Sequence, residues 1–314
     1  MKFWRLASSS MMAAAAIGAM SARLLHPAAP PQLAEPPLRL KPSEIKIYKG
    51  AETLIDWTPA QIRNCAFLHK LQPPGSPDQL PALLDRIGQT VTLLFHDFPQ
   101  IACDETIFSE ASPGMPLVTS LHQFNYIVIP QPGGDAPAFD EYRTDLNGNP
   151  LGASSLRDFS MITSNFASNW LYLSPADQQR SRFRYFGTQT IRNRECHVVG
   201  FAQDPERARS GGGFFIDGKS VVVLLQGLAW VDSQTFQVLR ITTWLLAPRT
   251  DIGLTSQDST VDFYPVQPRG FEGVLWLPRD VKVRIIYQGF HVRNTHQYSN
   301  FKLFRVKSTI KPGE

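Results

Sequence analysis

The histidines are the residues of this chain whose type could support metal binding or general acid–base chemistry. His291 and His296 lie five positions apart in a segment that reads as a strand. An odd spacing in a strand places two side chains on opposite faces, so one metal ion would not reach both. His197 lies within an apolar alternating run, which is typical of a packed histidine. The chain has no Gly-x-Ser-x-Gly motif for a nucleophilic serine. We therefore predict no catalytic residue, no metal ligand and no cofactor.

The glycine run and the paired acids also lack the context that chemistry would need. A phosphate-binding loop follows a strand and opens a helix, with Lys and Ser or Thr in place. The run Gly211–Gly213 is followed instead by Phe214, Phe215 and Ile216, which predicts a strand after a flexible hairpin loop. The neighbouring acids Asp104 and Glu105 would face opposite ways on a strand and are interpreted as exposed charges.

Three cysteines, Cys65, Cys103 and Cys196, leave the disulfide pattern open. An oxidising compartment permits one bridge and leaves one thiol over. A Cys65–Cys103 bridge, a Cys103–Cys196 bridge and three buried free thiols are all compatible with the spacing. There is no Cys-x-x-Cys motif, so neither a redox site nor a zinc knuckle is predicted.

Arginines are concentrated in residues 180–209, where seven of them accompany three acidic residues. Arg182 and Arg184 point to the same side of their predicted strand. With Arg192 and Arg194 they form a candidate basic patch that would meet lipid head groups or an acidic protein partner. The alternative is a solvated strand face that discourages edge pairing. The whole chain carries 31 basic and 27 acidic residues, too little excess charge for a nucleic-acid-binding protein.

The first 21 residues have the three-part layout of a secretory signal. Lys2 and Arg5 precede the uncharged apolar run Met11–Met20, and small residues follow at Ala19 and Ser21. The apolar run is too short to span a bilayer. We expect cleavage before Ala22 and a mature protein in the periplasm or otherwise exported.

The remaining chain divides by composition into three parts. Residues 22–57 are predicted to be a Pro-rich tether, and 58–80 a short helix followed by a Pro-rich connection. Residues 81–308 form a β-rich domain. It opens with an apolar helix at about 81–96, in which Leu84, Ile87 and Val91 are expected to face a sheet.

Period-two alternation with aromatic and β-branched residues dominates the rest of the domain. A second helical pattern, at Phe159, Ile162, Phe166 and Trp170, interrupts the strands. Strands in this order favour an α+β fold, a large twisted antiparallel sheet with two or three helices packed on it, over a parallel sheet. Many strands are apolar on both sides, which requires either two covering layers or an apolar cavity.

Several strand and turn segments resemble the LolA-like and LolB-like periplasmic lipoprotein carriers and uncharacterised exported bacterial proteins of that type. The segments are Phe98–Cys103, Glu141–Asp145, Arg182–Gly187, Val199–Gln203, Gly227–Asp232, Trp276–Pro278 and Gln297–Phe301. The resemblance implies an open half-barrel with helices over an apolar concavity. None of the segments is a catalytic motif, so no residue role is carried over.

These observations predict an exported, non-enzymatic protein that binds an apolar ligand, an acyl chain or a lipidated partner, on the concave sheet face. The aromatic side chains expected to line the ligand are Phe183, Tyr185, Phe201 and Trp230. One alternative is a cell-envelope protein-interaction module without a cavity. A hydrolase of an envelope polymer is the third.

Overall fold

The computed structural model describes residues 40–75, 79–112, 117–131, 138–149, 151, 167–208, 212–216 and 219–304. The predicted signal segment, residues 22–39 of the predicted tether and most of the second helical pattern lie outside these ranges. No helix in the described part is both long and apolar enough to cross a membrane.

Four α-helices lie in the described part: α1 Pro42–Tyr48, α2 Pro59–Asn64, α3 Leu80–His96 and α4 Pro175–Gln178. Short 3-10 helices occupy Leu54–Asp56, Ala66–Leu68, Ala167–Leu173 and Thr250–Ile252. The Thr58–Pro59 signal starts α2 as predicted: the Thr58 side chain accepts a hydrogen bond from the Gln61 backbone amide, and Pro59 occupies the first turn. Helix α1, with its buried Tyr48, lies in the range where a tether was expected.

Twelve strands follow in the described ranges. They are β1 Ile101–Ser112, β2 Val118–Gln131, β3 Ala138–Thr144, β4 Ser181–Ile191, β5 Arg194–Gln203, β6 Gly212–Ile216, β7 Lys219–Val223, β8 Leu225–Asp232, β9 Val238–Leu245, β10 Leu254–Val266, β11 Leu275–Tyr287 and β12 Phe290–Leu303. Ten form one antiparallel sheet in the order β3-β2-β1-β12-β11-β10-β9-β8-β5-β4, and β6 and β7 pair separately. The sheet is not closed into a barrel, which confirms the predicted α+β half-barrel.

The two faces of this sheet bury separate apolar clusters. Phe201, Val261 and Val281 lie on the inner, concave face, in one cluster with the buried residues of α3. Leu228 and Trp230 lie on the outer face in a second cluster. The two-sided apolar pattern therefore reflects two covering layers.

Helix α3 covers the inner face through Leu83, Ile87 and Val91, which are all buried. These positions are four apart and so form one stripe of the helix. The expectation for Ile87 and Val91 is confirmed. Leu84, also expected to face the sheet, is only half-buried at the flank of this stripe, because one residue of helix turns the side chain by about 100°.

Within the described ranges, covering segments lie on one half of the outer face. Residues of the segment 51–72, with Leu54 and Leu68 fully or almost fully buried, pack on β4, β5 and β8. On the other half, charged residues pair across strands, as Arg284 does with Asp258 at 3.0 Å. The cysteines are all free: Cys103 lies in the inner cluster, Cys196 in the outer cluster and Cys65 at its border.

Candidate functional site: the inner face of the half-barrel

The inner face is roofed by α3 together with the segment 167–178, which we call the roof. The two parts of the roof are joined by Gln178, whose Nε2 donates hydrogen bonds to the carbonyl oxygens of Leu84 at 2.8 Å and Leu173 at 2.9 Å. Gly88 permits this contact: a Cβ there would lie 3.2 Å from Pro175 Cγ and 3.0 Å from Gln178 Nε2. The roof is thus one packed unit.

Aromatic contacts at both ends of α3 show how the roof meets the sheet. In the N-terminal half of the helix, the Arg86 guanidinium lies 3.9 Å from the ring centroid of Phe236, which follows β8. Beyond its middle, Phe95 and the following Phe98 meet Phe139 of β3 with centroids 5.1 and 4.8 Å apart. Trp170 of the roof contacts the same Phe139 ring at 5.4 Å. Helix α3 therefore crosses the inner face from the β8–β9 turn to the edge strand β3.

The floor beneath the roof is largely aliphatic. One cross-strand row runs through Ile107, Val281, Val261 and Ile241, each with no exposed surface, and His296 is paired between Ile107 and Val281. Val283 and Ile285 continue the floor along β11 and are almost fully buried. This row favours apolar contacts, which are non-directional, whereas the neighbouring row carries the buried polar residues Ser109, Asn294 and Ser259.

At the β1 side of the floor, three polar side chains lie within hydrogen-bond distance of one buried carboxylate. Arg143 Nη2 donates to Glu105 Oε1 at 2.8 Å, and the Tyr298 hydroxyl donates to the same oxygen at 2.7 Å. His296 Nδ1 lies 2.9 Å from Glu105 Oε1. The side chains of Glu105 and His296 have no exposed surface.

The electrostatics of this network favour an ionised carboxylate. Burial acts to raise the pKa of Glu105, but the charge and hydrogen bonds of Arg143 outweigh it and lower the pKa to about 2. Burial lowers the pKa of His296 and raises that of Tyr298 well above the usual value. A carboxylate already saturated by these donors is a poor general base, so the network favours positioning over catalysis.

A second carboxylate links the roof to the sheet. Glu141 of β3 accepts hydrogen bonds from the Tyr126 hydroxyl and the Ser168 hydroxyl, and from the Ser168 backbone amide at 2.9 Å. Within the described residues, no group of three His, Cys, Asp or Glu side chains is placed to hold a metal ion.

The four aromatic residues predicted to line a ligand do not share one face. Phe183, Tyr185 and Phe201 lie on the inner face, where the ring centroids of Phe201 and the roof residue Tyr172 are 5.2 Å apart. Trp230 lies on the outer face and donates from Nε1 to Gln189 Oε1 at 2.8 Å. Of the inner three, Phe201 contacts the roof directly through Tyr172.

The four arginines of the predicted basic patch each have partners inside the protein. Arg182 pairs with Asp56 of the covering segment at 2.5 Å, and Arg184 Nη1 donates to the carbonyl oxygens of Ile55 and Trp57 at 3.0 and 2.6 Å. These two arginines hold the segment 51–57 against the sheet.

The other two arginines of the patch fasten the β4–β5 hairpin. Arg192 Nη2 donates to the carbonyl oxygens of Leu239 and Phe263 at 2.8 and 2.9 Å. Arg194 Nε lies 2.6 Å from Asp232 Oδ2. All four arginines therefore make contacts that stabilise the fold.

The Glu105 network was missed by the sequence analysis, which assigned Glu105 to an exposed charge. In the structure Glu105 is 1% exposed because Arg143, from the edge strand, supplies a counter-ion. A signal was present: Glu105 alternates with Cys103 and Ile107, both buried on the inner face. His291 and His296 do separate as predicted, with His291 exposed and His296 buried.

A groove of about 510 Å³ lies along one end of strands β10–β12. Its lining mixes Arg284, Arg293, Asp258 and Glu110 with Leu117, and the arginines are paired with the acids. Ile285, Ile286 and Val292 also line the groove, so it offers apolar side chains beside these ion pairs.

No protein-family model matches the chain, and no curated protein matches it. Among solved structures, a LolA superfamily protein from Nitrosomonas europaea is 10% identical, with 71% of this chain and 94% of that chain covered at a TM-score of 0.36. A DUF1329 family protein from Desulfovibrio piger is 12% identical, with 76% of this chain and 96% of that chain covered at a TM-score of 0.39. A putative outer membrane lipoprotein-sorting protein domain from Vibrio parahaemolyticus is 10% identical, with 70% of this chain and 91% of that chain covered at a TM-score of 0.40. The chain is similar to these proteins in fold, and no residue role is taken from them.

Proposed function

We propose that this protein is an exported cell-envelope protein that binds an apolar ligand, an acyl chain or the acyl part of a lipidated partner, on the inner face of its half-barrel. The observation that carries the proposal is the buried aliphatic floor of Ile107, Val261, Val281, Val283 and Ile285, of which the β10 and β11 residues share one apolar cluster with the roof. Export rests on the signal-like residues 1–21.

The ligand would displace the roof from the floor and take over its apolar contacts there. The roof meets the floor mainly through apolar and aromatic side chains, and such contacts are non-directional. An acyl chain offers the floor equivalent contacts, at about 0.8 kcal/mol per buried methylene. About ten buried methylenes would supply the roughly 8 kcal/mol of micromolar binding, less the cost of moving the roof.

The test uses cis-parinaric acid, a fatty acid whose fluorescence rises in apolar surroundings. Saturable micromolar binding to the mature protein is expected. Gln178→Ala removes the two bonds that tie α4 to Leu84 and Leu173, so this variant should bind faster and more tightly because its open state is more populated. Leu93→Asp changes an exposed residue of the same helix and serves as the control with unchanged binding. Absence of saturable binding by the parent and by Gln178→Ala would overturn the proposal.

A further inference from the structure

Among the residues that the structure describes, two polar side-chain atoms of the inner floor are buried without a hydrogen-bond partner. They are Ser109 Oγ on β1 and Gln257 Oε1 on β10. Ser109 is 2% exposed and Gln257 8%. An unpartnered polar group in a protein interior costs roughly 1–3 kcal/mol, so such groups are rare unless something absent from the free protein completes them.

Both atoms lie on the inner face, as the strand register shows. Ser109 is paired across β12 and β11 in the row Ser109, Asn294, Val283, Ser259. Gln257 belongs to the adjacent row, with Ile285 and Val292 between it and β1. Three strand spacings separate β1 from β10, about 14 Å at 4.8 Å each. One water molecule cannot bridge the two atoms, whereas an elongated molecule lying across the strands can approach both.

The same floor shows how a polar pair is satisfied when a partner is in reach. Thr243 Oγ1 and Ser259 Oγ, also buried on the inner face, lie 2.8 Å apart and bond to each other. All four residues are buried and polar, but within the described part of the chain Ser109 Oγ and Gln257 Oε1 have no hydrogen-bond partner, whereas Thr243 and Ser259 have each other.

We propose that Ser109 and Gln257 recognise the polar part of an amphipathic lipid, so that the ligand is an acyl lipid carrying hydroxyl or amide donors. This inference rests on the proposed function. The Gln257 carbonyl oxygen can only accept a hydrogen bond, so the ligand must bring an O–H or N–H group. The Ser109 hydroxyl can donate or accept. The aliphatic side chains of Val283, Ile285 and Val292 lie between them and accommodate the chain.

The matched ligands are monolauroylglycerol, which carries hydroxyl donors, and methyl laurate, which has the same acyl chain and none. Both are measured by displacement of cis-parinaric acid from the mature protein. We expect the parent to bind monolauroylglycerol at least tenfold more tightly than methyl laurate. In at least one of the single variants Ser109→Ala and Gln257→Met, the preference for monolauroylglycerol over methyl laurate should fall below threefold. Binding of methyl laurate should be retained.

Stability of the ligand-free protein gives an independent readout. Ser109→Ala removes an atom without a partner, so its Tm should stay level or rise. Ser259→Ala is the control: it breaks the bond to Thr243, so its Tm should fall while the tenfold preference is kept. A fall in the Tm of Ser109→Ala would show that the hydroxyl has a structural partner such as water, and would overturn the inference.

The outcomes separate the two proposals. Equal binding of both lipids by the parent, or a preference that neither variant reduces, overturns the donor inference and leaves apolar binding intact. Failure of both lipids and of cis-parinaric acid to bind overturns the proposed function together with this inference.

Discussion

Arg143 of the edge strand β3 forms a buried ion pair with Glu105 of β1, and the intervening strand β2 lies between them: Arg143 Nη2 donates to Glu105 Oε1 at 2.8 Å. Both side chains are almost fully buried. The pair therefore ties the edge of the half-barrel to its interior beside the proposed ligand floor, and the first two predictions follow from it.

Glu105→Gln should destabilise the fold by about 3–5 kcal/mol, because it leaves the Arg143 charge buried without its counter-ion. Urea unfolding at pH 7 measures the loss. Glu110→Gln is the control, since Glu110 pairs with Arg293, which is 61% exposed, and exposed pairs contribute about 0–1 kcal/mol. Equal losses in the two variants would contradict the assigned role of Glu105.

The free energy of unfolding should fall as the pH drops. The folded-state pKa of Glu105 is about 2, against 4.5 for an unperturbed glutamate. A lowered carboxyl pKa stabilises the fold above pH 4.5, and the contribution, about 3 kcal/mol in full, is lost as the pH falls from 4.5 through 2. Burial lowers the pKa of His296, which acts in the same direction below about pH 6.5.

The comparison of parent and Glu105→Gln reports the titration of Glu105 together with that of His296, whose pKa is lowered by burial and raised by Glu105. Urea unfolding between pH 6 and pH 2.5 should show a steeper decline for the parent. Parallel curves would show that Glu105 titrates alike in the folded and unfolded protein.

The roof helix α3 should tolerate charge on its outer side only. Ile87 is fully buried against the floor, whereas Leu93 is 65% exposed. Ile87→Asp buries an unpaired carboxylate at a cost of several kcal/mol and should abolish soluble, folded protein. Leu93→Asp should melt within about 2 °C of the parent, as surface substitutions usually change stability by less than about 0.5 kcal/mol. A normal circular-dichroism melt for Ile87→Asp would refute the packing of α3.

Arg184→Ala should loosen the covering segment 51–57 on the outer face. The substitution removes the donors to the Ile55 and Trp57 carbonyl oxygens, and each lost bond to a charged donor weakens the contact by about 1.5–3 kcal/mol. Limited chymotrypsin digestion should cleave at Trp57 several-fold faster than in the parent. Arg207→Ala, which alters an exposed arginine elsewhere in the predicted basic region, should digest at the parental rate.

Local patterns in the sequence were sufficient to predict the start of α2, the position of α3 and the type of sheet, whereas α1 lies in a predicted tether and α4 was not predicted. The apolar spacing from Leu80 to Phe95 placed α3 within one residue of its observed bounds, and the Thr58–Pro59 pair marked the start of α2. Period-two alternation identified the strands. These signals depend on neighbours within one or two turns of chain and need no knowledge of the tertiary fold.

The site depended on pairings that the sequence does not display. Phe201 and Trp230 lie on opposite faces because the β5–β8 register pairs Phe201 with Gly227, and a shift of one residue would reverse that assignment. Glu105 meets Arg143 and His296, which are 38 and 191 positions away along the chain. Long-range partners of this kind turn an apparently exposed acid into a buried one.

The most direct test of ligand binding on the inner face is photo-crosslinking with a diazirine-bearing palmitic acid, followed by peptide mass spectrometry of the mature protein. Binding on the inner face predicts saturable labelling of peptides from the floor strands β10–β12 and from α3, and suppression of this labelling by excess unlabelled palmitate. Saturable labelling confined to the outer-face segment 51–72, or no saturable labelling at all, would contradict binding on the inner face.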